Sequence, residues 1–387
     1  MKRWGVPFLS KFRDNYCMIN RRQFITYTSS LSYGLLFPSM NIFAKQRWFM
    51  PEESEPHTRT WMSFIASYDI WEDRQVPEVQ KNLADIAKTI AKYEPVSLLV
   101  RPQDYQRAEK MLGELDSHNH PMTLYEVQLN DLWMRDTGPS FVINENGEKA
   151  AVNFNFNGWG EDQAFQYDAK VADFVAKNAG TQSIPSNLVL EGGCFEVDGQ
   201  GTAIMTESCI LNDNRNPGKS KALVEEELKR LLGLEKIIWL KGIKGRDITD
   251  GHTDFYARFA KPGVVVVSRD TDKSSFDYKI TRDNINILKE ATDANGQPFE
   301  LVVLDTPWDI TEKFGTKDFA AGYVGYYVCN NAVIMQKFGD KKADKAAKNK
   351  LAKIFPSHVI EQISIDGIAS GGGSIHCATQ QEPDPVI

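Results

Sequence analysis

The run Val264-Val265-Val266-Val267-Ser268, with the segment Tyr278–Ala291 behind it, shows in miniature how the chain is built. Four β-branched residues in a row suit a strand covered on both faces, and the segment that follows carries helical periodicity. The same order appears upstream: Val96–Val100 precedes Asp104–Leu115, Ala151–Phe156 precedes Gln166–Lys177, and Thr202–Leu211 precedes Ser220–Leu232. It appears once more downstream, where Ala332–Gln336 precedes Lys341–Ile354. An earlier helix, Val76–Lys92, feeds the first run. In Ser220–Leu232 the helical spacing puts Leu223, Leu228, Leu231 and Leu232 on one face, opposite Glu225, Glu226, Lys229 and Arg230. Short β-like stretches such as Ser140–Ile143, Ile237–Leu240 and Leu301–Leu304 fill out the units. A unit recurring at about sixty residues signals an array or ring, so the reading is α/β, either one ring of five units or an open sheet.

Composition narrows the function. A net charge of −7 lacks the basic footprint of a nucleic-acid binder and suits a small cationic partner. No glycine-rich phosphate loop follows a strand. Cys17, Cys194, Cys209, Cys329 and Cys377 are scattered, without a CxxC pair or zinc spacing. Cys194, Cys209 and Cys329 lie beside apolar residues and read as core thiols.

Residues 1–44 read as an export segment. Arg21-Arg22-Gln23-Phe24-Ile25 is a twin-arginine pair followed by apolar residues, and a Ser-rich, moderately apolar stretch runs from Tyr27 to Phe43. Met18 is a more usual start for such a signal than Met1. Gly34 and Pro38 make the stretch a poor membrane span, so no stable anchoring is expected. The expectation is a periplasmic protein with a mature domain of residues 45–387, or a cytoplasmic one if the signal does not function.

Four polar segments between the units are where chemistry would lie. They are Asp131–Pro139, Leu190-Glu191-Gly192-Gly193-Cys194, Asp247–Asp254, and Gly371-Gly372-Gly373-Ser374-Ile375-His376-Cys377. Three consecutive glycines mark backbone that bends tightly or is approached closely. Cys377 beside them is a candidate nucleophile, with His252 or His376 as its proton partner. Residues adjacent in an extended segment face opposite ways, which favours His252, oriented by Asp250 or Asp254. His252-x-Asp254 as a metal pair lacks a second histidine-rich segment. Asp136, Glu191 and Trp133, each taken alone, read equally as a turn cap, an ion pair and a packing residue. Together, a thiol, an imidazole and several carboxylates suit attack on a positively charged carbon, and carboxylates fork onto a guanidinium.

At these residues the chain resembles the agmatine deiminase family, which includes the bacterial-type peptidylarginine deiminases of the guanidine-modifying superfamily. The resemblance runs from Met50 to about Pro383. It rests on Met50-Pro51-Glu52, Trp133-Met134-Arg135-Asp136-Thr137-Gly138-Pro139, Phe154–Gly160, Leu190–Gly193, Asn212–Pro217, Asp250-Gly251-His252-x-Asp254 and Gly371–Gln381. It implies a single-domain, five-bladed, pseudo-symmetric α/β propeller of the pentein type, working without cofactor or metal. It implies Cys377 as nucleophile, His252 as general acid/base, Asp136 and Asp254 as the carboxylates on the guanidinium, and Glu191 as a further catalytic acid. Trp133, Gly372 and Gly373 would touch substrate. Agmatine is the first substrate this implies, with N-carbamoylputrescine and ammonia as products and polyamine metabolism as context. Peptidylarginine or free arginine, an amidinotransferase, and a binder of cationic ligands without turnover are the alternatives. A homo-oligomer is compatible with all of these. Phe64-Ile65, Gly325, Asn331 and Phe255-Tyr256 depart from the family pattern and are expected in pocket walls.

Overall fold

All five β-runs become strands. The computed structural model describes residues 47–115 and 118–385; the export segment expected at 1–44 lies outside the described residues. Residues Gln46–Ile387 gather into one compact unit.

Val264–Arg269 pairs antiparallel with Ala257–Lys261 on one side and parallel with Glu300–Asp305 on the other. The helix Asp277–Glu290 makes the crossover that a parallel pair requires. The alternating faces of the valine run enter different cores. Val264 and Val266 join one apolar cluster, Val265 and Val267 another. Burial on both sides is why the run is continuous rather than alternating.

The hairpin, helix, parallel-strand order recurs. It is made by Tyr327–Cys329, Ala332–Lys337, helix Lys341–Ile354 and Val359–Ser364. Phe195–Val197, Thr202–Thr206, helix Lys221–Leu232 and Lys236–Leu240 repeat it. Ser140–Asn144, Lys149–Asn153, helix Val171–Asn178 and Gln182–Pro185 do so again, with Trp48–Phe49 added at the edge.

The fifth sheet corrects the sequence reading. Its hairpin partner comes from the far end of the chain: Thr379–Pro383 pairs antiparallel with His57–Phe64. His57–Phe64 then leads through helix Val76–Ile90 to the parallel strand Val96–Val100. The helix taken as a feeder is therefore the crossover of this unit. Helix Tyr105–Leu112 and strand Met122–Glu126 extend it by one more parallel step. Local periodicity cannot reveal a strand supplied from more than three hundred positions away.

Local signals set the helix ends. Ser220 caps Lys221–Leu232 by accepting from the Leu223 amide, and Gly233 closes it in the left-handed conformation. The helix buries Val224, Leu228, Leu231 and Leu232. Leu223, expected on that face, is 57 % exposed, because Val224 takes the first inward position. Among the described residues, no helix is long and apolar enough to cross a membrane.

Candidate active site

In every unit the segment just before the first hairpin strand has the same place. These segments carry Asp136 before Ser140–Asn144, Glu191 before Phe195–Val197, His252 and Asp254 before Ala257–Lys261, and Cys377 before Thr379–Pro383. The fifth carries Gly325, ahead of Tyr327–Cys329. Equivalent loops thus deliver residues from three of these distant stretches to one cavity of about 480 Å³, whose wall includes Trp133, Asp136, His252, Gly372, Gly373 and Cys377. Glu191 and Asp254 stand directly behind that wall, both buried.

The glycine run serves two indoles. A Cβ on Gly371 would lie 2.1 Å from the Trp71 ring, and one on Gly373 would lie 2.0 Å from the Trp133 ring. Gly372 between them has φ +88°, in the left-handed region. Trp71 and Trp133, with centroids 5.9 Å apart, therefore press onto the loop that presents Cys377. Both are fixed by one carboxylate: Trp71 Nε1 donates to Asp131 Oδ1 at 2.8 Å and Trp133 Nε1 to Asp131 Oδ2 at 2.9 Å.

Cys377 Sγ lies 3.2 Å from Ser374 Oγ and 3.7 Å from Asp254 Oδ2. Burial pushes its thiol pKa well above the ordinary value; the Asp254 and Asp136 charges add to this, and Ser374 offsets part. Asp254 Oδ2 accepts from His376 Nδ1 at 2.7 Å, while Oδ1 is buried with no hydrogen-bond partner. Burial would raise the Asp254 pKa, but the bond and charge of His376, then His252, hold it below the ordinary value. His376 Nε2 meets Glu53 at 3.1 Å. Its ring thus serves Asp254, although His376 and Cys377 lie in a turn and not in the extended segment expected from the sequence.

Asp136 accepts from Trp159 Nε1 at 3.1 Å and from the Gly193 amide at 3.4 Å. Trp159 has φ +57°, a costly conformation for a bulky residue that aims its indole at this carboxylate. Burial pushes the Asp136 pKa up to about 6; His252 opposes this, while Glu191 and Asp254 add to it. Arg135 does not pair with Asp136. It reaches Glu53 at 3.1 Å and Gln381 at 2.8 Å.

His252 lies between two acids, with Nε2 3.2 Å from Glu191 Oε2 and Nδ1 3.8 Å from Asp136 Oδ1. Burial works against its charge, yet Asp136 and Glu191 hold its pKa well above the ordinary value. Glu191 also receives Arg215 Nε at 3.0 Å and 3.1 Å on its two oxygens. Against burial, His252 and Arg215 pull the Glu191 pKa down to about 2. The arrangement holds a charged imidazole beside a neutral thiol, ready to give rather than take a proton. His252 faces Glu191 while Asp254 faces His376, so His252-x-Asp254 does not form a metal pair.

Some of this escaped the sequence. Trp71, Trp159, Asp131 and Arg215 support the site and were not singled out, because each acts through a partner met only in the folded chain. Of the departures expected in pocket walls, Phe255 lines the cavity. Gly325 instead packs on Ser374, where a Cβ would come within 2.3 Å, and Phe64 and Ile65 are in the core.

Five hairpin–helix–strand sheets and a converging thiol, imidazole and carboxylate set define an α/β protein with a thiol-centred site. The chain belongs to the Porphyromonas-type peptidyl-arginine deiminase family, which matches it over residues 49–383. An agmatine deiminase of Medicago truncatula is 37% identical over 368 residues, covering 86% of this chain and 96% of that protein. The structure of the agmatine deiminase of Enterococcus faecalis superposes with a TM-score of 0.80 at 34% identity, covering 88% of this chain and 96% of the other. A Cys-to-Ser C. jejuni agmatine deiminase with substrate bound gives 0.76 at 25% identity, over 87% and 96% of the two chains.

Proposed function

We propose that the chain hydrolyses agmatine to N-carbamoylputrescine and ammonia through a covalent intermediate on Cys377. One observation carries this. A thiol and two buried carboxylates meet at one cavity, and among the described residues no lysine or arginine forms an ion pair with Asp136 or Asp254. His252 and His376 offset these carboxylates only in part, and the substrate guanidinium supplies the remaining positive charge. Asp136 and the free Oδ1 of Asp254 take the guanidinium N–H groups.

The bound cation cancels the field that keeps the thiol neutral, and the thiol releases its proton to solvent. Sγ then attacks the guanidinium carbon. His252 protonates the departing nitrogen, and ammonia leaves a thiouronium on Cys377. His252, now neutral, takes a proton from water; the hydroxide breaks the C–S bond and frees the ureido product. Glu191, held by Arg215, keeps His252 oriented.

The outer part of the cavity favours an amine tail over an α-carboxylate. Its basic residues are already engaged: Arg74 bonds Glu72 at 2.6 Å and the Lys313 carbonyl at 3.1 Å, and Lys317 lies 3.8 Å from Asp318. Ammonia release from agmatine, free arginine and a blocked arginyl peptide tests the reading. Agmatine should be the best substrate; turnover of the peptide alone would transfer the assignment to peptidylarginine, and turnover of none would end it.

The five sheets are read here as the blades of one closed pentein-type propeller. The recurring unit supports this, as does the strand Thr379–Pro383 completing the sheet that contains His57–Phe64. Export to the periplasm by the twin-arginine segment is the accompanying proposal for localisation; a fraction assay in which Arg21→Lys and Arg22→Lys leave export unchanged would refute it.

A further inference from the structure

Directly behind His252 and Glu191 lie two thiols that the deimination chemistry does not use. Cys194 Sγ and Cys209 Sγ are 3.0 Å apart. Glu191 Oε2 is 3.0 Å from the first and 3.7 Å from the second. His252 Nε2 is 3.2 Å from the same oxygen. These four donor atoms all lie within 4.8 Å of one another, and all four residues are buried.

From this geometry we infer an inhibitory site for a thiophilic divalent cation, Zn²⁺ or Cd²⁺, bound by Cys194, Cys209, His252 and Glu191. Two thiolates, an imidazole and a carboxylate are a tetrahedral zinc donor set. Ordinary zinc–sulfur, zinc–nitrogen and zinc–oxygen bond lengths require donor–donor separations of roughly 3.3–3.8 Å. The separations given above bracket that range, so the sulfurs need part by less than about 1 Å for the ion to enter. The donors come from three places: the turn Gly192–Cys194 with its cap Glu191, helix Glu207–Ile210 and the turn that His252 caps.

Charge favours a cation here. Two thiolates, Glu191 and the Asp250 carboxylate that shares Arg215 give four negative charges, against three positive ones from the ion and Arg215, which leaves one net negative charge. Glu191 can turn Oε2 to the ion and keep Oε1 on Arg215 Nε, 3.0 Å away. Binding releases three protons, one from each thiol and the Nε2 proton of the His252 imidazolium. His252 lines the cavity, which gives the ion its entry. With Nε2 on the ion, His252 is held as a neutral imidazole whose remaining Nδ1 proton, on the Asp136 side, is far less acidic than that of the imidazolium, so protonation of the leaving nitrogen slows and the site works as a brake; this consequence rests on the deiminase reading, but binding itself does not.

The test separates the two. A Cys17→Ser/Cys377→Ser chain under reductant, stripped with chelator, is titrated with Cd²⁺ and then Zn²⁺. The expected result is one ion per chain with sulfur-to-cadmium charge-transfer absorbance from two thiolates. Adding Cys194→Ser or Cys209→Ser should weaken binding by at least the ~100-fold that loss of an outer-sphere partner can cost. Cys329→Ser should leave it unchanged. Absence of the absorbance overturns the site whatever the activity assays show and needs no variant of the pair to fold; equal affinity in folded Cys194→Ser and Cys209→Ser chains overturns it as well. In the otherwise wild-type chain, Zn²⁺ should slow turnover and Cys194→Ser should relieve the slowing relative to its own metal-free rate. Metal binding without any slowing would refute the brake.

Discussion

On the mid-chain side of the site, Glu191 meets Arg215 at 3.0 Å, Arg215 also meets Asp250 at 2.8 Å, and His252 adds its charge to Glu191 at 3.2 Å. On the other side, Asp136 has an indole and a backbone amide as donors, Asp254 keeps one oxygen without a partner, and Cys377 faces both carboxylates. The first group is compensated by an arginine; the second has only the imidazoles of His376, 2.7 Å from Asp254, and His252, 3.8 Å from Asp136. The Glu191 pKa is drawn down to about 2 against burial, whereas burial carries that of Asp136 up to about 6. One side is built for stability, the other trades stability for binding.

Substitutions should separate the two sides. Removing the nucleophile has the largest effect: Cys377→Ala should lower kcat for agmatine by on the order of 10⁴-fold or more, measured as ammonia release, with folding intact. Glu191→Gln strikes the compensated side. It leaves Arg215 and its neighbours short of a negative charge, and denaturant unfolding should show a loss of about 3–5 kcal/mol. Asp136→Asn should do the reverse, raising stability by up to about 3 kcal/mol at pH 8 while kcat/KM falls.

The pH dependence has opposite signs. Asp136 titrates in the folded chain at about 6, above its ordinary value, so its ionisation destabilises: that contribution to stability is complete below about pH 4 and is lost as pH rises through 6. Glu191 titrates at about 2, below its ordinary value, so its contribution is present above about pH 4.5 and is lost as pH falls through 2. Because guanidinium binding needs ionised Asp136, kcat/KM should fall on the acid side of about pH 6, and Asp136→Asn should abolish that limb. The smallest effect is Trp133→Phe, which removes one hydrogen bond to Asp131 and should cost about 1 kcal/mol, seen in thermal unfolding.

The repeating strand and helix pattern was readable because each unit carries its own periodicity, as the valine run at 264–267 does. The sheet joining His57–Phe64 to Thr379–Pro383 was not, since pairing between chain ends leaves no local trace. In the Gly371–Gly373 run, close approach was legible but the approaching rings of Trp71 and Trp133 were not. Cys377 and His252 stood out by residue type and motif. The lock of Trp159 on Asp136, the clasp of Arg215 on Glu191 and the meeting of Cys194 with Cys209 exist only once four loops converge.

The claim that the second side, without an arginine or lysine of its own, takes a cation from outside is tested most directly on the Cys377 thiol. Thiolate absorbance, taken as the difference between the wild-type chain and Cys377→Ser, can be followed against pH with and without a saturating unreactive alkylamidine. The thiol should titrate well above the ordinary cysteine value in the free site and drop by more than one pH unit, roughly 1.4 kcal/mol, when the amidinium is bound. An unchanged titration with the amidinium in place would contradict the account.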